Sequence, residues 1–305
     1  MTLTDSALQQ TPSQASVWIS AMRPKTLAAA FVPVLIGGSL AYSHDSFLVL
    51  PTLAALLCAF LIQIGTNFAN DYYDHKKGAD TDKRIGFVRA TSAGLIAPEA
   101  MLRATILTMA AAFVLGLYLV WHGGWVILLI GVLSIIFGIL YTGGPYPLGY
   151  NGLGDVFVFL FFGFIAVMGT YYINTFEWSA QAFWASIAAG ALCTNILVVN
   201  NLRDVDEDRQ TGKRTLGVLF GDKALKIEYG LMLALAFAIP PHFLVQEGFG
   251  WQVLLPMVLL LPAAVLYRNV LIVPDKRALN KTLENTAQFM AAFGIFFSVG
   301  LVLGA

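Results

Sequence analysis

Apolar residues recur along this chain in long, nearly unbroken runs, and the polar positions collect between them. Nine runs approach the ~20 residues that an α-helix needs to cross the hydrocarbon of a bilayer. They cover Leu27–Tyr42, Phe47–Phe68, Ala104–Trp121, Trp125–Tyr141, Val156–Ile173, Phe183–Val199, Ile227–Val245, Val253–Tyr267 and Ala287–Leu303. Pro256 and Pro262 fall inside the eighth run. They predict a kink there, since neighbouring helices can satisfy the freed carbonyls. The pattern predicts an all-α polytopic membrane protein with nine transmembrane helices, and the acidic loops between them predict a central cavity open to the cytosolic side. Met1–Ser16 is polar and has no Lys or Arg, so it lacks the basic start of a signal peptide. The expected organisation is a loose cytosolic N-terminal tail over residues 1–20 and one transmembrane domain over 21–305.

Composition removes the alternatives. Of 305 residues, 58% are hydrophobic and 12% charged, with zero formal net charge. A soluble domain is nearer ~45–50% apolar and ~25% charged. There are too few charges to cover a water-facing surface, and no basic excess to suit a nucleic acid. The only two cysteines, Cys58 and Cys193, lie far apart in apolar runs and read as small buried hydrophobes.

Charge then orients the runs. Two of the 18 Lys and Arg precede the first run, six lie between the second and third, six between the sixth and seventh, and four between the eighth and ninth. The alternate loops have none. The positive-inside rule puts the N-terminus and the basic loops in the cytosol and the C-terminus outside, in the inner (cytoplasmic) membrane. Trp121, Trp125, Trp178, Trp184 and Trp251 sit at the opposite ends, as an outer aromatic belt does.

Two basic loops also hold most of the acid. In the first, Asn67 and Asp71 are four apart, as are Asn70 and Asp74. In the second, Asn200, Asp204 and Asp208 repeat that spacing. On a helix each set stacks on one face, a ladder of oxygens at the mouth of the bundle. Aligning Asp74 with Asp204 brings Asn70 onto Asn200, which suggests a four-plus-four internal repeat with one extra helix. Clustered carboxylates repel one another, so a cation is expected among them. Oxygen ligands without a His or Cys set point to Mg²⁺, Mn²⁺ or Ca²⁺. An EF-hand starting at Asp204 fails, because Arg209 stands where glycine is needed and Thr215 where glutamate is needed. Lys83, Arg84 and Arg89 follow the first ladder, and Lys213 and Arg214 the second. Acid, metal and base together fit a diphosphate. Solvated loop charge would explain one such loop; two matching ladders argue for a site. His44, His75, His122 and His242 show no ligand spacing, Asp155 reads as a helix cap, and Tyr141 is either a belt or a site residue.

These residues resemble the UbiA-type intramembrane aromatic prenyltransferases. Arg23-Pro24-Lys25-Thr26-Leu27, Asn70-Asp71-Tyr72-x-Asp74, Asp82-x-Arg84-Ile85-Gly86, Gly149-Tyr150-x-Gly152-Leu153-Gly154-Asp155 and Asn200-Asn201-Leu202-Arg203-Asp204 are similar to the branch that acts on 1,4-dihydroxy-2-naphthoate. The resemblance covers Arg23 to Phe220. Gly78 stands where the superfamily carries a third acid, with Asp80 two residues on, and the superfamily's Lys/Arg pair after helix 4 is absent. What the resemblance implies is transfer of a polyprenyl group from polyprenyl diphosphate to 1,4-dihydroxy-2-naphthoate with loss of CO₂. It implies Asp71, Asp74, Asp204 and Asp208 as catalytic, and these four with Asn70 and Asn200 as ligands of Mg²⁺, two ions bound through the diphosphate. Asn67, Asn70, Lys83, Arg84, Arg89, Tyr141, Asn200, Lys213 and Arg214 would contact substrate. Tyr72, Tyr73, Tyr141 and Tyr146 are candidate aromatic faces for the allylic cation. The partners expected are these two substrates and the lipid bilayer, and no nucleic acid. Other aromatic acceptors are the near alternative. A cation-coupled transporter is the distant one, and it would place its acids near the midplane rather than at helix ends.

Overall fold

The computed structural model describes residues 13–80, 85–273 and 275–305. Among these residues there is no strand. The helices are α1 (Gln14–Met22), α2 (Ala28–Ser43), α3 (Val49–Lys76), α4 (Pro98–Gly123), α5 (Trp125–Leu140), α6 (Gly154–Val158), α7 (Ala166–Thr175), α8 (Ala180–Gln210), α9 (Leu216–Phe220), α10 (Asp222–Gln246), α11 (Leu260–Leu271) and α12 (Leu279–Gly304). Each of the nine apolar runs lies on helix. By length and composition, seven of the described segments can cross a membrane, or eight if α1 and α2, bent by 47°, count as one span. The remaining run, α5, has only 16 residues.

The eighth run begins as a 3₁₀ segment, Trp251–Leu259, with Pro256 inside it, and turns α-helical only at Leu260. The expected kink is therefore a change of helix type. The N-terminal expectation needs correcting. Ser13 caps α1 through its hydroxyl, which accepts from the Ser16 N–H at 3.2 Å. Val17 and Ala21 are buried, and the Trp18 ring meets the Phe68 ring edge-on at 5.7 Å. From Gln14 onward the tail is a packed helix, because those side chains have an apolar partner.

Two features of the packing position the site. First, α3 has 28 residues and α8 has 31. At ~1.5 Å per residue they are about 42 and 46 Å long, so each is longer than a ~30 Å hydrocarbon core and carries its polar ladder towards its C-terminal end. Second, α8 runs through the core on small residues, with Ala182, Ala185, Ala188, Ala189, Gly190 and Ala191 all buried. A Cβ on Gly163 would lie 2.8 Å from the Ser186 carbonyl oxygen and 3.0 Å from the Gly190 Cα. Only glycine permits this backbone approach. At that crossing the helix between α6 and α7 widens into a π-helical stretch, Phe159–Ile165. Cys58 and Cys193 are free and buried, as expected.

Candidate active site

One cavity of about 420 Å³ runs from the ladder end of the bundle into its apolar interior. Asn67, Asn70 and Asp74 of α3 and Asn200, Asp204 and Asp208 of α8 line its polar end, joined by Arg89, Tyr141, Tyr150 and Lys213. The two ladders, 130 residues apart in sequence, therefore meet at one site.

Asp74 is the crossing point. Its carboxylate, 1% exposed, accepts from Arg89 Nη2 at 2.8 Å and from the Tyr150 hydroxyl in a short contact. Lys213 Nζ lies 3.9 Å from Asp74 Oδ1 and 3.5 Å from Asp208 Oδ1, so one ammonium bridges the two ladders. Thr215 donates to Asp208 at 3.5 Å. Asp80 sits beside Arg89, 3.6 Å from its Nε. On the first ladder Asn70 accepts from the Thr142 hydroxyl at 2.7 Å, and Asn67 donates to the Met22 carbonyl at 2.9 Å. On the second, Arg203 donates to both oxygens of Asp204 at 2.7 Å and to Asn200 Oδ1 at 2.6 Å.

Three expectations change. Asp71 does not line the cavity. Its two oxygens accept the backbone N–H groups of Ala90 and Thr91 at 3.0 and 2.9 Å, so it anchors a loop. Arg214 is exposed, and only its backbone N–H contributes, to the Tyr150 carbonyl at 2.7 Å. Asp155 caps nothing: α6 has no side-chain cap, and the buried Asp155 Oδ1 has no hydrogen-bond partner. Lys83 and Arg84 lie outside the described residues.

The sequence reading missed Lys77 and Tyr150. Lys77 Nζ and Lys213 Nζ each lie over the Tyr150 ring, 4.8 Å from its centroid. Lys77 also donates to the Thr142 carbonyl at 2.7 Å. Burial, reinforced by Asp74, pushes the Tyr150 phenol far above the usual tyrosine range, so it stays a neutral donor. Lys77 is exposed as a residue, but its ammonium is tucked against Tyr150 and Thr142. Desolvation lowers its pKa, partly offset by Asp74 and reinforced by Lys213. The aromatic faces also differ from expectation. Tyr72, Tyr73 and Tyr146 do not line the cavity; Tyr141 and Tyr150 do, with Phe137, Phe157, Phe161 and Phe162 deeper in. The Phe137 ring meets those of Phe157 and Phe161 at a tilt, with centroids 4.9 and 5.5 Å away, and these two flank the start of the π-helical stretch.

Among the described residues no three His, Cys, Asp or Glu side chains converge as a metal cage. Mg²⁺ takes one or two carboxylates and completes its shell with water and phosphate oxygens. The donor set of Asn70, Asp74, Asn200, Asp204 and Asp208 is all oxygen and fits that ion.

The sequence pattern of the UbiA prenyltransferase family matches residues 30–298. The chain belongs to this family. It is 36% identical to the 1,4-dihydroxy-2-naphthoate octaprenyltransferase of Escherichia coli (strain K12), over 97% of this chain and 98% of that protein. The Bacillus subtilis (strain 168) protein of the same name is 33% identical, over 92% and 90%. Among solved structures, a UbiA homolog from Archaeoglobus fulgidus bound to DMAPP and Mg²⁺ has the same fold. It matches with a TM-score of 0.66 at 16% identity, over 92% of this chain and 99% of that one.

Proposed function

We propose that this UbiA-family chain transfers a polyprenyl group from polyprenyl diphosphate to 1,4-dihydroxy-2-naphthoate. The carbon–oxygen bond to the diphosphate breaks, a carbon–carbon bond to the ring forms, the ring carboxyl leaves as CO₂, and the product is demethylmenaquinol. The acceptor is supported by the names of the two relatives above. The observation that carries the reading is Lys213, held between Asp74 and Asp208 at the polar end of a cavity that is otherwise apolar. An anionic head and an apolar tail fit such a cavity in one orientation only.

In this reading Arg89 and Lys213 lie against the diphosphate, with Lys77 behind Tyr150. Bound Mg²⁺, two ions held by Asn70, Asp74, Asn200, Asp204 and Asp208 through the diphosphate, would supply the charge that eases departure of the leaving group. Tyr150 donates to Asp74 and fixes its rotamer. The apolar walls exclude water, which would otherwise capture an allylic cation. Phe137, Phe157 and Phe161 offer that cation aromatic faces, each contributing ~0.5–2 kcal/mol.

We take residues 21–305 as one prenyltransferase domain with nine spans in the inner membrane, its polar mouth cytosolic and its C-terminus outside. Orientation is tested with a membrane-impermeant thiol reagent on intact cells. Glu177→Cys, exposed in the loop before α8, should label, and Arg209→Cys, exposed beyond the ladder, should not. The reverse pattern would invert the topology. Activity is tested by incubating purified protein with labelled prenyl diphosphate, Mg²⁺ and a panel of aromatic acids. Dihydroxynaphthoate should be prenylated. Preference for 4-hydroxybenzoate or homogentisate would replace the acceptor.

A further inference from the structure

Two polar residues, one buried and one half-buried, are left over once the cavity is described. Arg203 is fully buried but does not line the cavity. Asn280, in the first turn of α12, belongs to none of the sequence motifs. Their hydrogen bonds connect. Arg203 Nη1 donates to Asn280 Oδ1 at 3.0 Å, and Asn280 Nδ2 donates to the Ile85 carbonyl at 3.0 Å. The Arg203 guanidinium lies 5.8 Å from the centre of the Phe87 ring. Gly86 lies between these contacts, and a Cβ there would come within 2.7 Å of Arg203 Nη2.

The same stretch of chain is held at its other end. Asp71 accepts the backbone N–H groups of Ala90 and Thr91, as described above. Between the two anchors lies Arg89, which donates to Asp74. The described strand of loop from Ile85 to Thr91 is thus a strap pinned by one residue from each acidic motif, and Asn280 completes the second pin.

We propose that Arg203, Asn280, Gly86 and Asp71 are positioning residues for prenyl-diphosphate binding: they fix the strap so that Arg89 stands at the cavity mouth. Arg203 has a second duty in the same set of bonds, since it fixes the side chains of Asn200 and Asp204. This rests on the prenyl-transfer reading above. Asn280 is the informative position because it touches neither the cavity nor either ladder. Asn280→Asp keeps an acceptor for Arg203 but as a carboxylate has no donor for Ile85. Asn280→Ala loses both bonds. Gly86→Ala removes no side chain and presses the strap against the Arg203 guanidinium, which Asn200, Asp204 and Asn280 hold in place.

The test is steady-state kinetics with Mg²⁺, a prenyl diphosphate and 1,4-dihydroxy-2-naphthoate on purified, monodisperse wild type, Asn280→Asp, Asn280→Ala and Gly86→Ala. The expected result is a donor KM raised about 10-fold or more in Asn280→Ala and Gly86→Ala, with acceptor KM within 2-fold of wild type. Asn280→Asp should show the same donor defect, because the lost bond is the one to the strap. Equilibrium binding of a non-reactive prenyl diphosphate analogue should weaken in parallel. If all three variants keep wild-type donor KM and analogue affinity, or if donor and acceptor KM rise together, the positioning role is wrong. A wild type that transfers no prenyl group to any aromatic acid would instead remove the functional reading on which this one stands.

Discussion

The two acidic ladders share a spacing and a residue type, yet they are held in opposite ways. The α3 ladder is spread over distant segments. Asn67 bonds to the last residue of α1, Asn70 to Thr142, Asp71 to the strap, and Asp74 to Arg89, Tyr150 and Lys213. The α8 ladder is held largely by its own helix, with Arg203 serving both Asn200 and Asp204. One ladder gathers the loops around the mouth; the other is a rigid wall for them to close against. A buried carboxylate with its partner removed is costly to keep charged, so each arrangement must stay paired. The difference teaches that equal motifs do not imply equal roles for equivalent residues.

The largest expected effect tests whether both ladders act on one ligand. Asp74→Ala and Asp208→Ala should each lower turnover by ~10²-fold or more, the scale of losing one electrostatic stabiliser of developing charge. EDTA should abolish activity in all forms and Mg²⁺ restore it. Asp71→Ala should break the symmetry of the comparison, with a raised donor KM and a much smaller loss of turnover at saturating donor. A kcat loss as large as that of Asp74→Ala would return Asp71 to the metal.

Next come the bridging charges. Lys213→Ala should raise donor KM by ~10- to 150-fold, corresponding to a charge-assisted contact of about 1.5–3 kcal/mol. Arg214→Ala, whose side chain is exposed, should move it less than ~2-fold. Equal effects would mean that general positive charge, and not the bridge, binds the donor.

A pH profile sharpens the same point. A lowered lysine pKa means that the ammonium loses its proton as pH rises through a value below the ordinary ~10.4. Desolvation lowers Lys77 in this way, so donor affinity should begin to fall on the alkaline side before ordinary lysines titrate. Lys77→Met should bind donor more weakly at neutral pH and lack that alkaline fall. Tyr150, pushed upward, should add no titration in the same range. The smallest effect belongs to Asp206→Ala. Its exposed pair with Lys276 at 2.8 Å lies off the ladder face, so stability and kinetics should stay within ~0.5 kcal/mol of wild type.

Hydrophobic runs were enough to find the long apolar helices, though not α1 or α9, because a segment that meets lipid must satisfy its backbone internally. The ladders were legible for the same reason of periodicity, but only to within one edge of a helix face. Residues four apart differ by only ~40° around the axis, so Asn67 pairs by spacing with Asp71 as readily as Asn70 does with Asp74. Which edge meets the cavity is decided by α3's packing, and Asp71 fell on the other side. Arg203 was invisible as a partner of Asp204 because adjacent helical residues point ~100° apart; its long side chain folds back across that gap. Tyr150 and Asn280 act through tertiary contacts with Asp74 and Ile85, which no local pattern encodes.

The most direct test of the central claim, one diphosphate site shared by two ladders, is a titration. Affinity for a non-reactive prenyl diphosphate analogue is measured against Mg²⁺ concentration in wild type, Asp74→Asn and Asp208→Asn. The account predicts that binding requires Mg²⁺ in wild type and that either substitution, on α3 or on α8, shifts the same curve to higher Mg²⁺ by about 10-fold or more. A curve that moves with one substitution and stays at the wild-type position with the other would contradict it.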